Sequence, residues 1–84
     1  MELHDWSVWQ PENFICITGK VYGNPNFRDG KIVTTSAVET FDTKNMKIKT
    51  RNSTYDLKRP EIRFMKDLES RGKTLMDFHT GDIP

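Results

Sequence analysis

Apolar and β-branched residues occur in short runs along the first two-thirds of the chain, and turn residues separate the runs. Four runs predict β-strands: residues 14–22, 31–41, 46–51 and 54–58. The third run alternates strictly, with Met46, Ile48 and Thr50 on one face and only basic residues on the other, which is typical of a half-buried strand. Gly19 interrupts the first run and indicates a bulge or a bend there.

The residues between the last three runs indicate how these strands pair. Asn52-Ser53 fits a two-residue hairpin turn and would place Lys49 opposite Asp56. Residues 42–45 fit a type I turn that ends in a left-handed asparagine, and would place Glu39 opposite Lys49. A ladder of opposite charges would then cover the outer face. The inner face predicted by these registers consists of Val38, Thr40, Ile48, Thr50, Tyr55 and Leu57.

The last third of the chain predicts one helix, over residues 60–72. Pro60 suits the first turn of a helix, because its missing N–H is not needed there. Gly72 is a residue that commonly ends a helix. The apolar stripe that we expect to face the core consists of Ile62, Met65 and Leu68, with Phe64 beside Leu68.

Together these elements predict a single α+β domain. Its centre, residues 14–58, is expected to be a curled antiparallel β-meander or an SH3-like small barrel of about four to five strands, closed by the C-terminal helix. Residues 1–13 are expected to form an N-terminal arm that contains both tryptophans. Residues 73–84 are expected to form a tail, tied to the core in its first half and loose from Gly81 onward.

Charge and composition bear on the kind of partner and on the cellular compartment. The chain has 13 basic and 12 acidic residues, a balance that does not by itself indicate nucleic acid or an anionic membrane as the partner. The longest apolar run, residues 14–17, is far shorter than the roughly 20 residues of a membrane span. Cys16 is the only cysteine, so no internal disulfide is possible. The first residues lack the basic region of a secretory signal, and we therefore expect a cytoplasmic protein.

Residues that commonly carry catalysis or bind metals are few and scattered. Cys16 and Ser36 lie within predicted strands, and no nucleophile-elbow or phosphate-binding motif occurs. A metal site near the termini would form only if the two termini met, and its ligands would be His4, Asp5, Asp77, His79 and Asp82. The sequence therefore predicts that the protein is not an enzyme and that it holds neither a cofactor nor a metal.

Basic residues are concentrated between residues 44 and 63, which supports an alternative function in binding single-stranded nucleic acid. Small barrels with basic strands and nearby aromatic residues bind single strands. The predicted nucleic-acid face consists of Lys47, Lys49, Arg51, Lys58 and Arg59. A third alternative is an oligomer that binds a small ligand such as a nucleotide, for which a subunit interface is the natural place in so small a domain.

Turn and strand residues between Ile17 and Leu57 form a recognisable pattern. It reads Gly-x-Pro-x-Phe-x-Asp-Gly over residues 23–30, then Thr35-Ser36, then Tyr-x-Leu ending at Leu57. This pattern resembles that of a loose group of small uncharacterised bacterial and prophage β-rich proteins. The residues before position 14 fall outside the resemblance, and Lys58 stands where such proteins commonly have glycine.

The resemblance implies a shared fold and brings no assigned activity. Small prophage proteins of this kind are often accessory factors, and some inhibit host defence proteins by binding them directly. We therefore expect a non-enzymatic module that binds another protein and that can also form a homo-oligomer. Because aromatic residues and arginines dominate interface energetics, the candidates for partner contacts are Trp6, Trp9, Phe27, Arg28 and Phe41.

Overall fold

The computed structural model describes all 84 residues, which form six strands, one α-helix and one short 3-10 helix. The strands are β1 (Glu2–Trp9), β2 (Cys16–Tyr22), β3 (Lys31–Thr34), β4 (Val38–Asp42), β5 (Lys47–Thr50) and β6 (Thr54–Leu57). The helices are α1 (Ile62–Ser70) and the 3-10 helix (Leu75–Phe78). This content confirms the predicted α+β class. The α-helix has neither the length nor the apolar character needed to cross a membrane.

All six strands belong to one mixed sheet, in the order β3-β2-β1-β6-β5-β4. Neighbouring strands are antiparallel except β1 and β6, which are parallel. The sheet therefore consists of two three-stranded meanders, joined through the first strand of one and the last strand of the other. It is not closed into a barrel, and its six strands exceed the four to five that were expected.

The predicted strand over residues 31–41 is divided at residues 35–37, where the chain bends. β3 and β4 lie at opposite edges of the sheet, although only this short bend separates them in sequence. The Thr35 N–H donates to the carbonyl oxygen of Ile17 (2.8 Å), which holds the bend against β2. The sheet must curl strongly to bring its two edges this close.

The first residues form the central strand of the sheet, whereas an arm over residues 1–13 was expected. β1 pairs with β2 on one side and with β6 on the other. Two of its residues, Asp5 and Trp6, lie opposite the single residue Gly19. A Cβ on Gly19 would lie 3.0 Å from the carbonyl oxygen of His4, so glycine is needed beside this bulge. The irregularity predicted at Gly19 is confirmed, although the extra residue belongs to β1.

Trp6 lies at the centre of the core and is completely buried. Its indole N–H donates to the carbonyl oxygen of Lys58 (2.9 Å). The indole ring packs against Phe41 and Phe64, with ring centroids 6.3 and 5.9 Å away. Phe78 stacks on Phe41 at 6.0 Å, so both helices contact the inner face of the sheet through aromatic rings. The buried cluster consists of Leu3, Trp6, Ile17, Val21, Phe41, Ile48, Tyr55 and Leu57.

The β5–β6 hairpin has the predicted faces but a different register. Lys49 lies opposite Thr54 rather than Asp56, a displacement of two residues from the prediction. The two-residue turn is therefore Arg51-Asn52 rather than Asn52-Ser53. Because side chains alternate with a period of two, the displacement leaves every residue on its predicted face, and hydrophobic burial does not distinguish the two registers.

A bulge in β4 reverses the faces predicted for two residues. Thr40, rather than Glu39, lies opposite Lys49, and the register shifts by one residue between Val38 and Thr40. The extra residue turns Phe41 toward the core and Thr40 away from it. The predicted ladder of opposite charges across β4, β5 and β6 therefore does not form.

The β4–β5 turn is shaped by the carboxylate of Asp42. Its Oδ1 accepts from the backbone N–H groups of Lys44 and Asn45, at 3.1 and 3.0 Å. These bonds fold the chain into a turn that starts at Asp42. The left-handed residue is consequently Met46, with a φ of 52°, and not Asn45 as predicted.

Helix α1 lies within the predicted range, but it is shorter. Glu61 is the N-cap, and its carboxylate accepts from the N–H groups of Arg63 and Phe64, both at 3.0 Å. Gly72 follows the C-cap with a φ of 69°, as expected for a glycine that ends a helix. Pro60 precedes the N-cap and bridges to β1, so it is not the first helical residue.

The helix faces the core with only part of its predicted apolar face. Leu68 is buried and Phe64 packs against the core cluster. Ile62, which was expected in the same stripe, is instead exposed to solvent. The contact between Phe64 and Trp6 sets the rotation of the helix, so the side with Phe64 and Leu68 faces inward and Ile62 does not.

The C-terminal tail is hydrogen-bonded along the outer edge of β4. The Phe41 N–H donates to Thr80 Oγ1 (2.8 Å), and the Thr80 N–H donates to the Phe41 carbonyl oxygen (2.9 Å). The Ile83 N–H donates to the carboxylate of Asp42 (2.8 Å). The expectation of a loose end from Gly81 onward is therefore wrong, because the buried carboxylate of Asp42 takes its last donor from this segment.

The two tryptophans of β1 provide a matched test of this core. Trp6→Phe is expected to lower the free energy of unfolding by about 1–3 kcal/mol, because the Lys58 carbonyl loses its donor in a partly buried site. Trp9→Phe, at a position 54% exposed, is expected to change it by less than about 0.5 kcal/mol. Urea unfolding of both variants measures the difference. Equal losses in the two variants would contradict the central position of Trp6.

Candidate functional site

A groove on the outer face of the sheet carries the most exposed apolar side chains of the protein. Ile32 and Ile62 are 66% and 65% exposed, more than any other large apolar residue. Both line the same groove, which has a volume of about 640 Å³. Its other lining residues are Asp5, Ser7, Thr18, Gly19, Lys20, Arg59, Pro60 and Glu61. We refer to it as the Ile32–Ile62 groove.

Strand pairing sets the floor and one wall of this groove. The β2–β3 register places Ile32 beside Lys20 and Thr34 beside Thr18, and the two threonine hydroxyls lie 2.9 Å apart. The β1–β2 register places Ser7 beside Thr18. The floor is therefore polar and formed by short side chains, while Ile32 stands at its outer rim.

The opposite wall is the segment that leads into helix α1. Pro60 bridges to Trp6 in a parallel arrangement, and the Glu61 N–H donates to the Trp6 carbonyl oxygen (2.8 Å). These backbone contacts fix residues 59–62 against the bulge of β1. Ile62, the first residue of the helix, therefore projects beside the groove instead of entering the core.

One charged side chain of the groove has no partner. Asp5 and Lys20 form an ion pair at 3.3 Å, and the Glu61 carboxylate is engaged in capping α1. The side chain of Arg59 is exposed and makes neither an ion pair nor a hydrogen bond. A guanidinium in this state is available for a carboxylate of a partner.

The structure does not bring the five predicted partner-binding residues together. Trp6 and Phe41 are buried in the core, so the prediction that they contact a partner is wrong. Trp9, Phe27 and Arg28 are exposed. Trp9 pairs with the first residue of β2, whereas the loop with Phe27 and Arg28 follows its last residue, so they lie at opposite ends of that strand.

The predicted nucleic-acid face is not one continuous basic surface. Lys47 lies between two aspartates, Asp42 on β4 and Asp56 on β6. The ammonium of Lys58 lies 3.8 Å from the carboxylate of Glu2. Lys49 has threonines on both sides, Arg51 lies in the turn, and Arg59 lines the groove. Phe41 is buried in the core, so it supplies no aromatic surface on this face.

Three potential metal ligands do meet, at the docked tail. Side-chain atoms of Asp42, His79 and Asp82 lie within 4.8 Å of one another. His79 Nδ1 accepts from the Thr43 backbone N–H (3.1 Å), so the proton of the neutral ring is on Nε2, which lies 3.4 Å from Asp82 Oδ1. A metal on Nε2 would displace this proton to Nδ1, which already accepts the hydrogen bond from the Thr43 N–H. This arrangement is better explained as a set of hydrogen bonds that holds the tail against the sheet than as a metal site.

The two residues that define the groove were not among the predicted site residues. Ile32 and Val33 are adjacent in a strand, so one of them must face away from the core, and this signal was present in the sequence. The exposure of Ile62 depends on the rotation of the helix, which the sequence pattern left open. Comparison of the chain with protein families, curated proteins and solved structures finds no match.

Asp42 provides a test of the docked tail through pH. Hydrogen bonds from the Ile83 N–H, the Asn45 side chain and two further backbone N–H groups hold the pKa of this carboxyl well below its usual range, against the opposing effect of burial. Because the pKa is lower in the folded chain, this carboxylate adds its full stability above the usual aspartate pKa of about 4, and the contribution is lost as pH falls below that value.

The free energy of unfolding of Asp42→Asn should therefore be lower than that of the unchanged protein at neutral pH. The difference is expected to shrink as pH falls below about 4. Denaturant unfolding across this range measures it. Asp82→Asn, at an exposed carboxylate of the same tail, is the control and should keep the acid dependence of the unchanged protein. Parallel pH profiles for the Asp42 variant and the unchanged protein would contradict the assignment.

Proposed function

We propose that the protein is a non-enzymatic module that binds another protein through the Ile32–Ile62 groove. The observation that carries the proposal is that the two most exposed apolar side chains lie on one groove. Single exposed apolar residues are common on protein surfaces, whereas two that line the same groove can contact one partner together. Burial of each such side chain stabilises a complex by about 1.5–3 kcal/mol.

The polar features of the groove suit recognition of a protein surface. A partner side chain between the two isoleucines would lie above the hydroxyls of Ser7 and Thr18, with Arg59 at the side. An apolar contact surrounded by polar groups is the usual arrangement of an interface hot spot. The resemblance to small prophage proteins extends the proposal: the module is an accessory protein of a mobile element that inhibits a host defence protein by direct binding.

Capture from a lysate of the natural host tests the proposal. Tagged protein is expected to retain one stoichiometric protein partner after nuclease treatment and at high salt. Ile32→Lys and Ile62→Lys should each abolish this capture, because a buried unpaired charge replaces an apolar contact. Met76→Lys is the matched control, since Met76 is 55% exposed but lies outside the groove.

Other results would overturn the proposal in distinct ways. Recovery of nucleic acid that is lost at high salt would favour the basic residues of β5 and its flanks instead. Capture of a protein that both isoleucine variants retain would place the interface elsewhere. Recovery of neither species, together with a self-associated protein, would favour the oligomeric binder of a small ligand.

A further inference from the structure

We infer that the partner contributes an extended segment that pairs with the open edge of β3 and carries a carboxylate near Arg28. The inference rests on the proposed function and adds the form and the charge of the partner. It depends on three features: an uncovered strand edge, an apolar side chain that the edge shares with the groove, and unpaired positive charge at the start of the strand.

The two edge strands of the sheet differ in whether another segment of the chain covers them. At β4, the backbone N–H and carbonyl of Phe41 are both bonded to Thr80, so the tail covers that edge. No segment of the chain lies along the outer side of β3, whose residues other than Val33 are exposed. An uncovered edge presents unpaired backbone groups to any extended segment nearby.

The backbone groups available on β3 are those of Ile32 and Thr34. Thr35 donates to Ile17 of β2, so in this antiparallel pair alternate residues of the strand point toward β2. Val33, like Thr35, therefore directs its backbone groups toward β2, whereas Ile32 and Thr34 direct their N–H and carbonyl groups away from the sheet. Their side chains lie on the outer face, and that of Ile32 also lines the groove. A segment paired here would therefore continue the surface of the groove.

The start of β3 is positively charged. Arg28 and Lys31 flank one carboxylate, Asp29, which accepts from the Gly23 N–H (3.0 Å). The Lys31 ammonium lies 5.5 Å from the ring centroid of Phe27, and Arg28 has no ion-pair partner. A concave surface of about 510 Å³ lies along this loop, between Asn26 and Lys31. An acidic side chain of the added segment complements this end of the strand.

A second copy of the chain fits the same edge less well. Self-pairing about a two-fold axis is antiparallel, so the start of one β3 would face the end of the other. That end, residues 34–38, contains no carboxylate to meet Arg28. A four-residue strand also supplies little of the roughly 1,200–2,000 Å² that stable interfaces bury. An acidic segment of another protein satisfies the charge and needs only a small, transient interface.

Proline substitution at Thr34 tests the inference without removing the apolar contact. Thr34→Pro deletes an N–H that points away from the sheet, which edge strands tolerate. Thr34→Ala keeps the N–H and equally loses the hydroxyl contact with Thr18, so it is the matched control. The probe is a randomised library of linear peptides, displayed and selected against the unchanged protein. We expect the selected peptides to alternate apolar residues with aspartate or glutamate.

Thr34→Pro should bind these peptides at least about tenfold more weakly than the unchanged protein, and Thr34→Ala within about threefold. In the unchanged protein, peptide binding should slow hydrogen exchange at the Ile32 and Thr34 amides, a readout that does not depend on the folding of any variant. Arg28→Glu should reverse the preference for acidic peptides.

Four results would overturn the inference. The first is that Thr34→Pro binds the peptides as tightly as the unchanged protein and that peptide binding leaves hydrogen exchange at both amides unchanged. The second is that the selected peptides contain no acidic residues, and the third is that selection against the unchanged protein yields no peptides. The fourth is that the unchanged protein forms a dimer that Thr34→Pro dissociates. The two proposals fail separately. A host partner lost by Ile62→Lys but kept by Thr34→Pro supports the groove alone, whereas the opposite pair of results supports the edge alone.

Discussion

The fold depends on the burial of one indole ring at the junction of three elements. Trp6 belongs to β1, and its indole N–H donates to the carbonyl oxygen of Lys58, just after β6. Its backbone carbonyl oxygen accepts from the N–H of Glu61, the N-cap of α1. The ring itself packs against both Phe41 and Phe64. The two meanders would otherwise share only the short parallel contact between β1 and β6. The same junction fixes residues 59–62 against the bulge, and thereby the position of Ile62 at the groove.

Local signals in the sequence identified most of the elements, because they depend on neighbouring residues. The strict alternation around Ile48 located β5, and Gly72 marked the end of the helix. What the sequence left undetermined depends on contacts between distant residues. The segment around Trp6 looked like an arm because the hydrogen-bonding partner of its indole, Lys58 just after β6, lies 52 residues away. Phe41 looked exposed because a single-residue bulge, invisible in the alternation, turns it inward.

The candidate site was missed for the same reason. An interface was expected to be aromatic, and the fold instead uses its two most central aromatic residues, Trp6 and Phe41, to build the core. The exposed apolar surface that remains is aliphatic, and it lies where two segments far apart in sequence meet. Neither Ile32 nor Ile62 is unusual within its own strand or helix. Only the pairing of β1 with both its neighbours places them on one groove.

The central position of β1 has a consequence for how the chain reaches its native state. Each meander contains only contacts between consecutive strands and can form early, whereas the union of β1 with β6 closes a loop of most of the chain and is the slow, non-local step. During synthesis, β1 is made before the other five strands, and its contact with the end of β6 cannot form until Lys58 has been made. In that interval the edge of β1 that pairs with β6 has no partner and the indole of Trp6 is not covered, so β1 is the segment for which early protection by a chaperone would matter most.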